Sequence, residues 1–189
     1  MAGRSAQEER APRSSSPSVL RVVWNWLWPI AVGAGLAKLF VHYVFSFAEV
    51  PTSSMYPTIP NPCFILVDHV ATELMPPYRG EVVLFRWPDD PKTIFVKRII
   101  GLPGDTVWIG GGRVYINGRP LAEPYLSVPT LGTFGPYKVP PDSYFMMGDN
   151  RNRSDDSRLW THKFVPRSSI IGRADLVIWP LWKAKVIEQ

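Results

Sequence analysis

From Val22 to Phe47 the chain stays apolar for longer than anywhere else along its length, and that run limits what the chain can become. A membrane-spanning helix needs about 20 predominantly apolar residues, and this run supplies them with room for tilt. Trp24, Trp26 and Trp28 at one end and Tyr43 at the other suit the two lipid–water interfaces. Asn25 and His42 fall near the ends, and Lys38 can snorkel part of the way outward. A transmembrane anchor is therefore expected over residues 20–48, with an amphipathic helix buried in a soluble core as the bland alternative. Ser46-Phe47-Ala48 has the small residues of a leader cleavage site. The apolar region nevertheless far exceeds the roughly 7–15 residues of a leader core, so an uncleaved anchor is expected.

Residues 1–19 read as a disordered tail, because Ser, Arg, Ala and Pro dominate and no apolar period is visible. Arg4, Arg10, Arg13 and Arg21 precede the run, whereas no Lys or Arg occurs from residue 39 until Arg79. The positive-inside rule places the tail in the cytoplasm and residues 49–189 outside, on a single-pass protein of the cell membrane, or of an organellar membrane.

Beyond residue 50 the pattern is short runs rich in β-branched and aromatic residues, such as Phe64-Ile65-Leu66-Val67, Thr106-Val107-Trp108-Ile109 and Tyr144-Phe145-Met146-Met147. Gly, Pro, Asn or Asp bounds nearly all of them, and the chain holds Pro 20 and Gly 14. Gly110-Gly111-Gly112 and Asn117-Gly118 read as hairpin turns. Residues 120–141, with several prolines and glycines, read as a long surface loop. The fold class expected is mainly β: one antiparallel domain, partly barrel-like or sandwich-like.

The net charge of +5 is spread without a basic block, which suits an anionic lipid surface and argues against nucleic acid as a partner. The lone Cys63 excludes an internal disulfide and a cysteine metal cluster.

Two segments carry chemistry. Ser54 lies in Pro51-Thr52-Ser53-Ser54-Met55-Tyr56-Pro57-Thr58, where Pro57 biases Tyr56 toward extended backbone and sets the serine on a rigid, exposed turn. Lys97 lies in Phe95-Val96-Lys97-Arg98-Ile99-Ile100-Gly101. In a strand, Phe95, Lys97 and Ile99 share one face and Arg98 the other, so at least one of two adjacent cations meets apolar surroundings. A buried lysine loses proton affinity and can act as a base toward a hydroxyl. Bringing it from about 10.4 to near neutrality takes roughly 3 units, or about 4 kcal/mol, which a stable domain can carry once. A Ser-His-Asp arrangement using His69 or His162 is the competing reading, without a local motif to support it. The third segment, Gly148-Asp149-Asn150-Arg151-Asn152-Arg153-Ser154-Asp155-Asp156-Ser157-Arg158, is dense in small polar and charged residues. Calcium-loop spacing fails there, since neither the required Gly nor the terminal Glu is in register. Ser154 could supply a hydrogen bond to a buried amine.

Together the three segments resemble type I signal peptidases (leader peptidases), in a short single-anchor form. The carriers are Ser-Met-x-Pro-Thr at 54–58, Val-Lys-Arg-Ile-Ile-Gly-Leu-Pro-Gly-Asp at 96–105, and Gly-Asp-Asn-Arg followed by Ser-x-Asp-Ser-Arg at 148–158. The resemblance implies a nucleophile at Ser54 and a general base at Lys97. It implies an oxyanion site from Thr52 and the Ser54 N–H, and Ser154 orienting the lysine. It implies ion pairs among Arg98, Asp149, Asp156 and Arg158 supporting the site, with no metal or cofactor. The implied substrates are secretory preproteins whose signal peptides are cut after small residues in an Ala-x-Ala pattern. The segment Trp160-Thr161-His162-Lys163-Phe164-Val165-Pro166 departs from the family pattern, lacking its usual glycine, and the short stretch between Asp105 and Gly148 implies a reduced second domain. A LexA-like Ser/Lys autoprotease and a non-catalytic anchored β binding module are the other readings.

Overall fold

The computed structural model describes residues 19–189. All but the last residue of the tail expected over 1–19 lies outside the described residues. Residue contacts divide the chain into two units, Met1–Phe40 and Val41–Gln189.

The first unit holds most of helix α1, Val19–Val44, whose 26 residues include Pro29. At 1.5 Å per residue it is about 39 Å long. Trp24, Trp26, Leu27, Ile30, Leu36 and Phe40 expose their side chains. No helix among the described residues is long and apolar enough to cross a membrane; Arg21, Asn25, Pro29 and Lys38 dilute the apolar run of α1.

The second unit is built on antiparallel sheets, in line with the expected mainly β class. Its strands are β1 (Phe45–Val50), β2 (Cys63–Asp68), β3 (Val82–Trp87), β4 (Asp90–Gly101), β5 (Thr106–Gly110) and β6 (Arg113–Ile116). There follow β7 (Arg119–Pro120), β8 (Phe134–Lys138), β9 (Ser143–Met147), β10 (Val165–Pro166), β11 (Ile170–Trp179) and β12 (Lys185–Val186). A short helix α2, His69–Leu74, is capped by the Asp68 carboxylate, which accepts from the Val70 and Ala71 N–H groups. The larger sheet runs β1-β2-β11-β3-β4-β9-β10, with β12 beside β11; the smaller runs β7-β6-β5-β8.

Two boundaries differ from expectation. The anchor expected over 20–48 gives way at Val44 to β1, because Phe45, Ser46, Phe47 and Ala48 pair in register with Asp68, Val67, Leu66 and Ile65. The loop expected over 120–141 contains β8, paired on β5 through Thr106 with Lys138 and Val107 with Tyr137. Its Gly135 and Pro136 sit in an edge strand of the smaller sheet, where a missing donor is tolerated. Both expected hairpin turns are present: Gly111 and Gly112 (φ +60° and +81°) join β5 to β6, and Asn117 and Gly118 (φ 52° and 80°) follow β6.

Strand β4 organises the interior. Val96 belongs to one apolar cluster with Val50, Ile65, Val67 and Val82. Ile99 belongs to a second with Val83, Phe85, Met146 and Trp160. Ile100 belongs to a third, with Val107, Ile109 and Val114 of the smaller sheet. Each such side chain contributes roughly 1.5–3 kcal/mol by leaving water. Where β4 meets the smaller sheet it carries Gly101, at which a β-carbon would lie 2.8 Å from Val107 Cγ2 and 2.9 Å from Phe145 Cβ. Because β4 packs on both faces, Lys97 and Arg98 are both buried, at 4% and 0% exposure.

Candidate active site

Ser54 occupies a tight turn between β1 and β2. The Tyr56 N–H donates to Ser53 O and the Ile59 N–H to Met55 O. Met55 and Ile59 are fully buried in the first apolar cluster, so the core holds the turn from beneath. Ser54 itself is 7% exposed, not the exposed residue expected, because the 148–158 loop packs over it.

Lys97 reaches it from β4. Its Nζ lies 2.6 Å from Ser54 Oγ and 5.2 Å from the centre of the Phe95 ring. Burial lowers the ammonium from its ordinary 10.5 to about 8, opposed by the negative charges of Asp156, Asp155 and Asp149. Thr52 Oγ1 stands 3.3 Å from Ser54 Oγ. Among the described residues the Ser54 N–H has no acceptor.

The supporting loop is anchored by charge pairs. Arg98 grips Asp149 in a two-pronged contact, Nε to Oδ1 at 2.9 Å and Nη2 to Oδ2 at 2.7 Å. Its remaining Nη1 donates to Gly80 O and Glu188 O, and its guanidinium lies 4.0 Å from the Tyr125 ring centre. Arg158 clasps Asp156 in the same two-pronged way, each contact 2.8 Å. The Gly148 N–H donates to Asp156 Oδ2. Arg151 joins Glu123, Thr130 Oγ1 and Gly148 O, tying the loop to the segment before β8.

The loop also touches the nucleophile. The Asn150 N–H donates to Ser54 O and its Nδ2 to Ser53 O, both at 3.0 Å. A β-carbon on Gly148 would overlap Ser54 O and the Ser154 side chain, so only glycine lets the loop approach this closely. A cleft of about 700 Å³ opens at Ser54 and Lys97. One wall is residues 46–54, the other residues 93–97, and Arg153 and Asp155 also line it.

The structure brings together Ser54, Lys97 and Thr52, and joins the four residues expected to form ion pairs as Arg98 with Asp149 and Asp156 with Arg158. Ser154 lies beside Gly148, but its buried Oγ makes no hydrogen bond among the described residues. No histidine bonds to Ser54 among the described residues: His69 bridges Ser46 Oγ and Ile171 O, and His162 sits exposed on Asp89. Nor is there, among those residues, a group of three or more His, Cys, Asp or Glu that could hold a metal. Sequence reasoning missed Asn150, Arg151, Glu123 and Tyr125. Asn150 stood within a quoted motif and could have been singled out, whereas Glu123 and Tyr125 carry no local signal.

The chain is similar in sequence to known proteins. Residues 23–179 match the family described as signal peptidase, peptidase S26. A signal peptidase I of Leptolyngbya laminosa is 38% identical over 177 residues, covering 90% of this chain and 86% of the relative. A signal peptidase I of Bacillus amyloliquefaciens is 37% identical over 186 residues, covering 92% and 95%. A crystal structure of a signal peptidase I from Enterococcus faecalis V583 aligns with 52% of this chain and 97% of its own, at 34% identity and a TM-score of 0.47. With a family match that runs through the serine turn, the lysine strand and the charged loop, the chain belongs to the type I signal peptidases.

Proposed function

We propose that this protein is a serine endopeptidase that removes signal peptides from exported preproteins, with Ser54 as nucleophile and Lys97 as general base. The observation that carries this reading is the 2.6 Å contact between Lys97 Nζ and Ser54 Oγ inside a site that lowers the lysine to about 8. A neutral amine accepts the Ser54 proton as Oγ attacks the scissile carbonyl carbon. The Ser54 N–H and the Thr52 hydroxyl stabilise the oxyanion, a role supported by the unengaged N–H and the position of Thr52 beside Oγ. As the peptide bond breaks, the lysine ammonium gives its proton to the leaving amine. Water, deprotonated in turn by Lys97, then hydrolyses the acyl-enzyme and regenerates Ser54. Ser154 completes the setting by holding the lysine when its hydroxyl turns toward Nζ.

The cleft supports an apolar substrate segment with small residues before the cut. Its lining includes Ala48, Val50, Leu84, Phe95 and Val96, and it reaches Ser54 and Lys97. The Ala-x-Ala preference belongs to this reading.

Membrane attachment is part of the same proposal, through α1 with the tail on the cytoplasmic side and the catalytic domain outside. The catalytic unit adds an apolar face of its own. Phe64 pairs across the sheet with Trp179 and Phe47 with Leu66. Phe47, Trp179, Leu181 and Trp182 are 65%, 52%, 70% and 80% exposed, a surface suited to lie against lipid.

The test is incubation of the full-length protein in detergent with a preprotein carrying an Ala-x-Ala site, followed by mass determination of the new N-terminus. Cleavage after the second Ala, absent from Ser54→Ala, is expected. An intact preprotein with active-quality enzyme, or cleavage undiminished by Ser54→Ala, would sink the assignment.

A further inference from the structure

The 148–158 loop uses four of its six charges in ion pairs within the protein. Asp149 pairs with Arg98, Arg151 with Glu123, and Asp156 with Arg158, all buried. Arg153 and Asp155 are the exceptions: both are exposed, neither side chain has a hydrogen bond or ion pair among the described residues, and both line the cleft. They are rigidly mounted all the same. The Arg153 N–H donates to Asn150 O, Asn152 is tied to Pro129 O and the Leu131 N–H, and Ser154 and Asp156 on either side of Asp155 are buried.

Their place along the cleft gives them a task. Both walls run in chain order toward the dyad, one ending at Ser54 and the other at Lys97. Glu49 apart, the walls leading there are apolar or small and uncharged, so the apolar segment before the scissile bond fills that length. The chain after the bond must then leave over the dyad end, where Ser154, flanked by Arg153 and Asp155, lies against Gly148 next to the Ser54 carbonyl. Asp155 is among the charges that act on Lys97, which agrees with its lying beside the reacting atoms.

Resting on the proposed reading of the site, we infer that Arg153 and Asp155 are specificity-determining residues that read the charge of the first residues of the released chain. Asp155 favours cationic and disfavours acidic residues after the cut, and Arg153 does the reverse. The exit thus carries no net preference as it stands, and admits mature chains of either sign.

The test uses peptides identical except for Lys or Glu at the first, second or third position after the cut. The readout is the ratio of kcat/KM for Lys to that for Glu, in which any change in the base itself cancels. Asp155→Asn should lower the ratio and Arg153→Gln should raise it, each by about two- to fivefold at one or more positions, the range for solvent-exposed charge pairs. Both shifts should shrink in 1 M salt, where screening shortens to about 3 Å. Ratios unmoved in variants that still cleave would overturn this inference alone. Failure of the unaltered enzyme to cleave any of the peptides would overturn the reading of the site, and this inference with it.

Discussion

Gly148 approaches Ser54 so closely that the loop backbone rests on the carbonyl of the proposed nucleophile, with no room for a β-carbon between them. Gly148→Ala must therefore push the loop away or displace the serine turn. Overpacking of this kind costs about 1–3 kcal/mol, and the displacement falls on the reacting atoms. Denaturant unfolding should show a modest loss of stability, and peptide cleavage a far larger loss of turnover. Near-normal turnover would mean that the loop can yield without moving Ser54.

Lys97 sets the pH response. Catalysis needs the neutral amine, so kcat/KM should climb with pH through about 8 and level off above it. Asp155 favours the charged form, so Asp155→Asn should move that limb to lower pH. Lys97→Arg should be inactive, since a guanidinium does not give up its proton; Lys97→Ala and Ser54→Ala should each lose at least about 10²–10⁴-fold. An acidic optimum would point instead to carboxylate chemistry.

The same residue links pH to stability. Between about 8 and 10.5 the unfolded chain holds a proton that folded Lys97 has released. Its contribution therefore makes stability rise with pH across that window, and the full cost is present below about 8. The shift corresponds to about 3 kcal/mol. Lys97→Met should be more stable than the unaltered protein at pH 7, with the advantage fading toward pH 10.5, as read by denaturant titration at both values.

Arg98 and Asp149 are both fully buried. Removing one partner strands a charge, so Arg98→Met or Asp149→Leu should each cost about 3–5 kcal/mol. The double variant should cost less than the sum of the two. Strict additivity in the double-mutant cycle would show that the pair is not an energetic unit.

Asn150 holds the serine turn through its side chain as well as its backbone. Asn150→Ala removes one hydrogen bond, worth about 0.5–1.5 kcal/mol. A two- to tenfold fall in kcat with little change in KM is expected, because the bond orients Ser54 without lining the cleft.

The sequence motifs led to Ser54 and Lys97 because these chemistries leave local traces: a hydroxyl in a proline-flanked turn and a cation in an apolar strand. The strand argument also foresaw that Lys97 or Arg98 would meet apolar surroundings. It did not foresee both, since burial on the two faces of β4 depends on the smaller sheet packing through Ile100. Strand β1 was hidden inside the apolar run, where hydropathy alone cannot separate a helix from a buried or half-buried strand. The contacts of Glu123 and Tyr125 with Arg151 and Arg98 span long stretches of chain and exist only once both sheets are docked.

The loop at 148–158 is not a lid. It carries the serine turn through Asn150, the lysine strand through Asp149 and Arg98, and the segment before β8 through Arg151. No one of these can open without breaking buried charge pairs, so amide protons around the site should exchange only through the same global opening that exposes the core. Heat should consequently erase activity and tertiary structure in one coincident transition, leaving no folded but idle intermediate.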